Sequence, residues 1–210
     1  QESVERAVVI FNEQSADGVS AVLSRPRAQA IKDRLGILIE NGITGLVIVI
    51  TMLFLFLSVR TAFWVTIGIP TAMLATVALM LALGLSLNMV SLFALIICLG
   101  IVVDDAIVIG EHADHLHRQG HAPADAALLA VKRMFLPVLS SSLTTIIAFS
   151  GMLLIGGRFG SLITDIPVTV VLVIAASLIE VFLLLPAHMF HALRAVKPGR
   201  PAWFDRPSLW

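Results

Sequence analysis

Residues 61–103 contain no Asp, Glu, Lys or Arg. A helix crosses the hydrocarbon core of a bilayer with about 20 apolar residues, so this one run is long enough to cross twice. Composition agrees: 58% of the 210 residues are hydrophobic and 13% are charged, with a mean hydropathy of +0.98. Soluble domains carry about 25% charged residues. The chain reads as an all-α polytopic membrane protein. Lys plus Arg, 14, balances Asp plus Glu, 14, and no basic cluster offers a nucleic-acid surface. The single cysteine, Cys98, lies in an apolar run and has no partner for an internal disulfide.

Uncharged intervals set the spans. The first covers residues 41–59, between Glu40 and Arg60. The long run divides at Gly84-Leu-Ser-Leu-Asn88, a turn-like break, into a second and a third span. The fourth covers residues 134–157 and the fifth 163–193. Five spans put the two ends on opposite sides. Arg60, then Arg118, Lys132 and Arg133, then Arg194, Lys197, Arg200 and Arg206 fall on one side, whereas the opposite short loops hold only Arg158. By the positive-inside rule the first side is cytoplasmic. Arg6, Arg25, Arg27, Lys32 and Arg34 then lie outside, as large translocated domains are free to do. Residues 1–36 therefore read as the stub of an extracytoplasmic (periplasmic) domain, 37–193 as a five-helix transmembrane domain, and 194–210 as a cytoplasmic interfacial tail with Trp203, Phe204 and Trp210. The chain opens on Gln1 and has no signal-peptide layout, so it reads as a piece of a longer polypeptide.

Smaller elements follow from pattern. Residues 4–11 suggest a strand and 31–40 a helix running into the first span. After Gly120, Pro123 suits the first turn of a short helix over 124–133 lying along the cytoplasmic interface. Gly68 and Pro70 suggest a bend in the second span, and Gly100 a close approach between helices.

Asp104 and Asp105 stand side by side where charge is expensive: an Asp at the centre of a span costs about 2.5 to 3.5 kcal/mol. They must be protonated, paired or wetted, which makes the site a candidate proton pathway. Neighbours on a helix point about 100° apart, so the pair cannot face one partner or clamp one water as an aspartic protease does. No Lys or Arg lies in any of the five apolar cores. A balancing cation has to come from elsewhere; the alternative is a packing pair satisfied by Ser, Thr or Asn on neighbours. For Glu180, in the last span, two readings stand: a second proton site, or a structural acid bonded to hydroxyls such as Ser177 or Thr144. Ser140, Ser141, Ser142, Thr144 and Thr145 offer a proton wire or, more simply, hydroxyls bonded to their own i−4 carbonyls. His112, His115, His117 and His121 beside Glu111 and Asp114 have helical metal-ligand spacing, which Gly120 interrupts, so a solvated loop is the preferred reading and no metal is assigned. No cofactor, nucleophile or phosphate loop appears, and the chain reads as no enzyme.

The run GIVVDDAIVIGEH over residues 100–112 resembles the fourth-helix signature of the resistance-nodulation-division (RND) efflux pumps. The likeness continues through LSVRTAFWVTIGIP at 57–70, SLNMVSL at 86–92, PVLSSSLTTIIAF at 137–149, GGRFG at 156–160, Ile166-Pro167 and SLIEVFLLLPAH at 177–188. The resemblance implies transmembrane helices two to six of the first half of a twelve-helix pump of the bacterial inner membrane. It implies that Asp104 and Asp105 are proton-relay carboxylates of a proton/substrate antiporter, paired with a lysine from the second half of the same pump. It also implies a homotrimer working with a periplasmic adaptor and an outer-membrane channel. Glu180 and Leu185-Pro-Ala-His188 depart from the usual drug-pump pattern. The five-helix sensing domains of eukaryotic lipid transporters share this layout, and a lipid- or sterol-sensing module without proton coupling is the alternative function; a non-transporting scaffold is a third.

Overall fold

A computed structural model describes residues 2–15, 20–22 and 27–194. The interfacial tail expected over 194–210 lies, except for Arg194, outside the described residues. The chain divides into two compact units, residues 1–41 and 42–210.

In the first unit, α1 spans Glu2–Gln14. This corrects the strand expected over residues 4–11. A strand needs a neighbour to take up its N–H and C=O groups, and no strand is present among the described residues; a helix satisfies those groups within the segment itself. The Asn12 amide then closes on Ala21, donating to its carbonyl at 3.0 Å and accepting from its N–H at 2.7 Å. α2, Arg27–Phe56, is one continuous helix, as expected of residues 31–40.

α3 spans Val59–Ala82, α4 Met89–Arg118 and α5 Pro123–Ser150. A short α6, Gly157–Ile163, precedes α7, Asp165–Ile179; a π turn over Glu180–Leu184 then leads into α8, Leu185–Arg194. Among the described residues five helices are long and apolar enough to cross a membrane: Ile31–Leu55, Val59–Ala82, Met89–Arg118, Pro123–Leu154 and Gly160–Arg194. The protein is all-α and multi-pass.

Local chemistry sets the boundaries. Ser58 caps α3 by accepting from Thr61 N–H at 3.3 Å, and α3 continues through Pro70 until Gly84, at φ 70°, turns the chain. Asn88 opens α4 with a capping box: its Oδ1 accepts from Val90 and Ser91 N–H, and its own N–H donates to Ser91 Oγ. α4 passes its charged residues without a break and stops only before Gly120, at φ 100°. Pro123 sits in the first turn of α5. No separate interfacial helix forms over 124–133: with no breaker between Arg133 and Met134, α5 runs straight on. Its Ala126, Ala127 and Ala130 are buried, packed in the core with Ala192 and Leu193 of α8.

α4 is the central helix, packed against α3, α5 and α7. One core joins α3, α4, α5 and α8 around Val65, Ile109, Leu116, Val181, Leu185 and Met189. A second joins α3, α4 and α7 around Ala72, Ala94, Cys98, Val102, Val170 and Ile174. Small side chains at these crossings let the backbones approach, which is how helices associate where lipid supplies no hydrophobic drive. Gly110, not Gly100, is the close-contact glycine of α4. A Cβ at 110 would stand 3.3 Å from methyls of Thr61 and Val65, whereas one at 100 meets nothing within 4 Å.

Candidate functional site: acids inside the bundle

Asp104 and Asp105 diverge as helical geometry requires. Asp105 is 9% exposed, and its Oδ2 accepts a hydrogen bond from Ser142 Oγ of α5 at 3.3 Å. Asp104 is exposed, on the same face as Phe93, Ile97, Gly100 and Val108, all of them exposed too. This is an apolar stripe at i, i+4, i+7, i+11 and i+15 with one carboxylate in it. Among the described residues no Lys, Arg or His lies within 4.0 Å of either Asp. The bundle thus satisfies one acid with a hydroxyl and leaves the other on an outer surface.

The hydroxyls of α5 do not connect. Thr144 and Thr145 donate to the carbonyls of Ser140 and Ser141 at 2.8 and 3.1 Å, the ordinary i−4 arrangement. Ser142 alone reaches an acid.

Glu180, 2% exposed, begins the π turn, whose bond from Leu185 N–H returns to Glu180 O. It is not tied to hydroxyls: Oε1 and Ser177 Oγ both lack a hydrogen-bond partner, and Thr144 is engaged with its own helix. Its nearest basic group is His188 Nδ1, at 4.0 Å. Sequence reading noted His188 only as a departure from a family pattern and read Gly68 as a bend; the structure places both against Glu180.

The four histidines do not share one loop: only His121 lies in the connection between α4 and α5. His112, His115 and His117 lie on the last turns of α4, and no three His, Cys, Asp or Glu side chains converge among the described residues. His117 Nδ1 lies 2.9 Å from His121 O, and His121 Nδ1 lies 3.1 Å from Leu116 O. His115 Nε2 lies 2.9 Å from Gln119 Nε2, and Arg118 donates to Asp114 at 2.6 Å. The group closes the C-terminal end of α4, where open carbonyls favour donors and positive charge. Glu111 and Asp114 sit on the same turns. At the other end of α4, Asn88 Nδ2 donates to Asp165 Oδ2 at the start of α7, a cross-helix tie that no local sequence pattern announces.

The profile of the AcrB/AcrD/AcrF family matches residues 1–208. The chain is 35% identical over 177 residues to multidrug resistance protein MdtC of Shigella flexneri, an alignment covering 84% of this chain and 17% of that protein. MdtC of Escherichia coli O139:H28 and of Escherichia coli K12 matches with the same identity and coverage. The chain thus spans well under a quarter of the length of these relatives.

Proposed function

The chain belongs to the AcrB/AcrD/AcrF family of resistance-nodulation-division transporters, and from that premise we propose that it forms the membrane core of a proton-driven multidrug exporter. In this reading Asp104 and Asp105 take up and release the coupling protons. The observation that carries it is the placing of Asp104: a carboxylate on a membrane-length apolar face, with no cation near it among the described residues. Bare lipid against that face would cost about 2.5 to 3.5 kcal/mol for a charged Asp at mid-helix. A protein surface bearing a lysine, from the second half of the same pump, removes the cost while the acid is ionised and loses its attraction when the acid is protonated. That differential contact is what couples a proton to a helix movement.

The drive is sufficient in scale, since one charge crossing 100 mV is worth about 2.3 kcal/mol. The proposal places the chain in the bacterial inner membrane with Arg60, Arg118 and Arg194 on the cytoplasmic side. It includes a homotrimeric pump working with a periplasmic adaptor and an outer-membrane channel. Multidrug resistance, in the names of the MdtC relatives, supports the substrate class.

The test is neutral replacement in the full-length transporter. Asn keeps the volume and hydrogen bonding of Asp but exchanges no proton at the carboxyl. Asp104→Asn and Asp105→Asn should each abolish export and proton counterflow in proteoliposomes while expression and assembly stay near normal. Normal export with unchanged dependence on the proton gradient, in either variant, refutes the relay role of that residue and favours the packing or sensing readings.

A further inference from the structure

Glu180 opens the π turn Glu180–Leu184, and His188 lies one turn beyond its end. In an unbroken α-helix, residues eight apart point about 80° away from each other. A π turn takes up one extra residue, so eight residues close two turns and His188 comes round beneath Glu180. The geometry agrees: Nδ1 of His188 lies 4.0 Å from Glu180 Oε1, and both atoms are buried without a hydrogen-bond partner, as is Ser177 Oγ three residues before. Opposite them α3 presents Gly68, whose missing side chain leaves the space the carboxylate fills; a Cβ there would stand 2.9 Å from Glu180 Cδ and nearer still to Oε1. Trp64, one turn away on α3, stacks on His188 with ring centroids 5.1 Å apart and on His191 at 5.7 Å. His191 is exposed. A buried acid, a half-buried imidazole and an exposed imidazole thus follow one another toward the Arg194 end of α8, the two rings sharing Trp64.

We infer that Glu180 and His188 form a second proton-exchange site, separate from Asp104 and Asp105, which exchanges with water held beside His191. Unloading begins with Glu180 protonated and His188 carrying its proton on Nε2. The carboxyl proton passes from Oε1 to Nδ1, giving a carboxylate and an imidazolium; the imidazolium then gives its Nε2 proton to water beside His191. A tautomeric return of the ring resets the site, and the reverse order loads it. Closing the 4.0 Å gap to hydrogen-bond length takes a side-chain shift of about 1 Å. The indole face of Trp64 attracts the transient imidazolium.

The packed elements also carry charge: Arg60 on α3, the Asp pair and the C-terminal turns of α4, Lys132 and Arg133 on α5, and Asp165 on α7. Among the described residues no Lys or Arg lies within 4.0 Å of the Glu180 carboxylate. Among the described residues His188 is its one basic neighbour at that distance.

The experiment follows the Glu180 carboxyl by its infrared C=O stretch in the purified protein in lipid nanodiscs, assigned by difference against Glu180→Gln. After a jump into D2O, wild type should exchange at least tenfold faster than His188→Gln, with His191→Gln between them. Gly68→Ala, which pushes the carboxylate off its seat, should shift the band position. Equal exchange rates in wild type and His188→Gln overturn the proposal. So does a difference spectrum with no Glu180 carboxyl band anywhere between about pH 5 and 8, the interval in which an imidazole titrates. Should His188→Gln fail to fold, the exposed His191→Gln carries the same test. None of these readouts involves export or the Asp pair, so the failure of this site and of the proposed function are separately visible.

Discussion

Gly100 and Gly110 stand on one helix, and the same substitution should stabilise at the first and not at the second. Replacing Gly by Ala in a helix interior removes backbone entropy from the unfolded chain and is favourable by about 1 kcal/mol. At Gly100 the new methyl meets nothing within 4 Å, so that gain stands alone and Gly100→Ala should stabilise by up to about 1 kcal/mol. At Gly110 it arrives 3.3 Å from Thr61 Cγ2 and Val65 Cγ2 and 3.5 Å from Leu57 Cδ2, at or inside the carbon–carbon optimum of about 3.5 to 4.0 Å. Thr and Val are branched at Cβ and held in few rotamers, so the helices have to part. Overpacking costs about 1 to 3 kcal/mol, and Gly110→Ala should range from neutral to about 2 kcal/mol destabilising. The propensity contribution is common to both variants and cancels in their difference, which leaves about 1 to 3 kcal/mol of packing alone. Reversible unfolding of the purified protein in mixed micelles, with each variant referred to wild type, measures that difference. Equal effects at the two positions would refute the assigned faces of α4. Destabilisation by Gly100→Ala only in the full-length transporter would show instead that a surface from outside this chain lies against that face, as the proposed function requires.

The tie between α4 and α7 gives a second test. Asn88→Ala removes a cap worth about 1 kcal/mol together with the bond to Asp165, and should lower stability by about 2 kcal/mol. Asn88→Asp keeps the cap but sets two carboxylates together, so in the same unfolding assay it should recover stability only when Asp165 is changed to Asn. Orientation is tested by single cysteines in a Cys98→Ala background: positions 86 and 158 should label in intact cells, and positions 60 and 119 only after permeabilisation. Labelling of position 119 in intact cells would reverse the assignment.

What was legible in the sequence is what a helix decides for itself. The five spans, the turn at Gly84, the first-turn place of Pro123 and the divergence of Asp104 from Asp105 all follow from length, period and local backbone chemistry. Residues 4–11 misled because a short run ending in Val-Val-Ile-Phe suits either a strand or a short helix, and period alone does not separate the two. Residues 124–133 misled because charges at Lys132 and Arg133 mark an interface without ending a helix. The larger misses concern faces. Which glycine of α4 meets a neighbour depends on where α3 lies, and His188 comes under Glu180 only because a π turn shifts the register by one residue. Nothing in Glu-Val-Phe-Leu-Leu distinguishes such a turn from ordinary helix.

The divergence of the two aspartates also separates their roles within the proposed function. Asp105 already holds a donor, Ser142, on a helix that packs directly against its own, so its environment travels with the bundle. Asp104 has none among the described residues and stands on the stripe that only an outside surface can cover. A cation approaching that stripe reaches Asp104 first, and it reaches Asp105 only across the width of the helix or through a shared water. Within the proposed function, one acid inward and one outward on α4 gives a charge at the covering surface a route to Ser142 and α5, the connection that a proton-driven transporter needs between a proton and the packing of its helices.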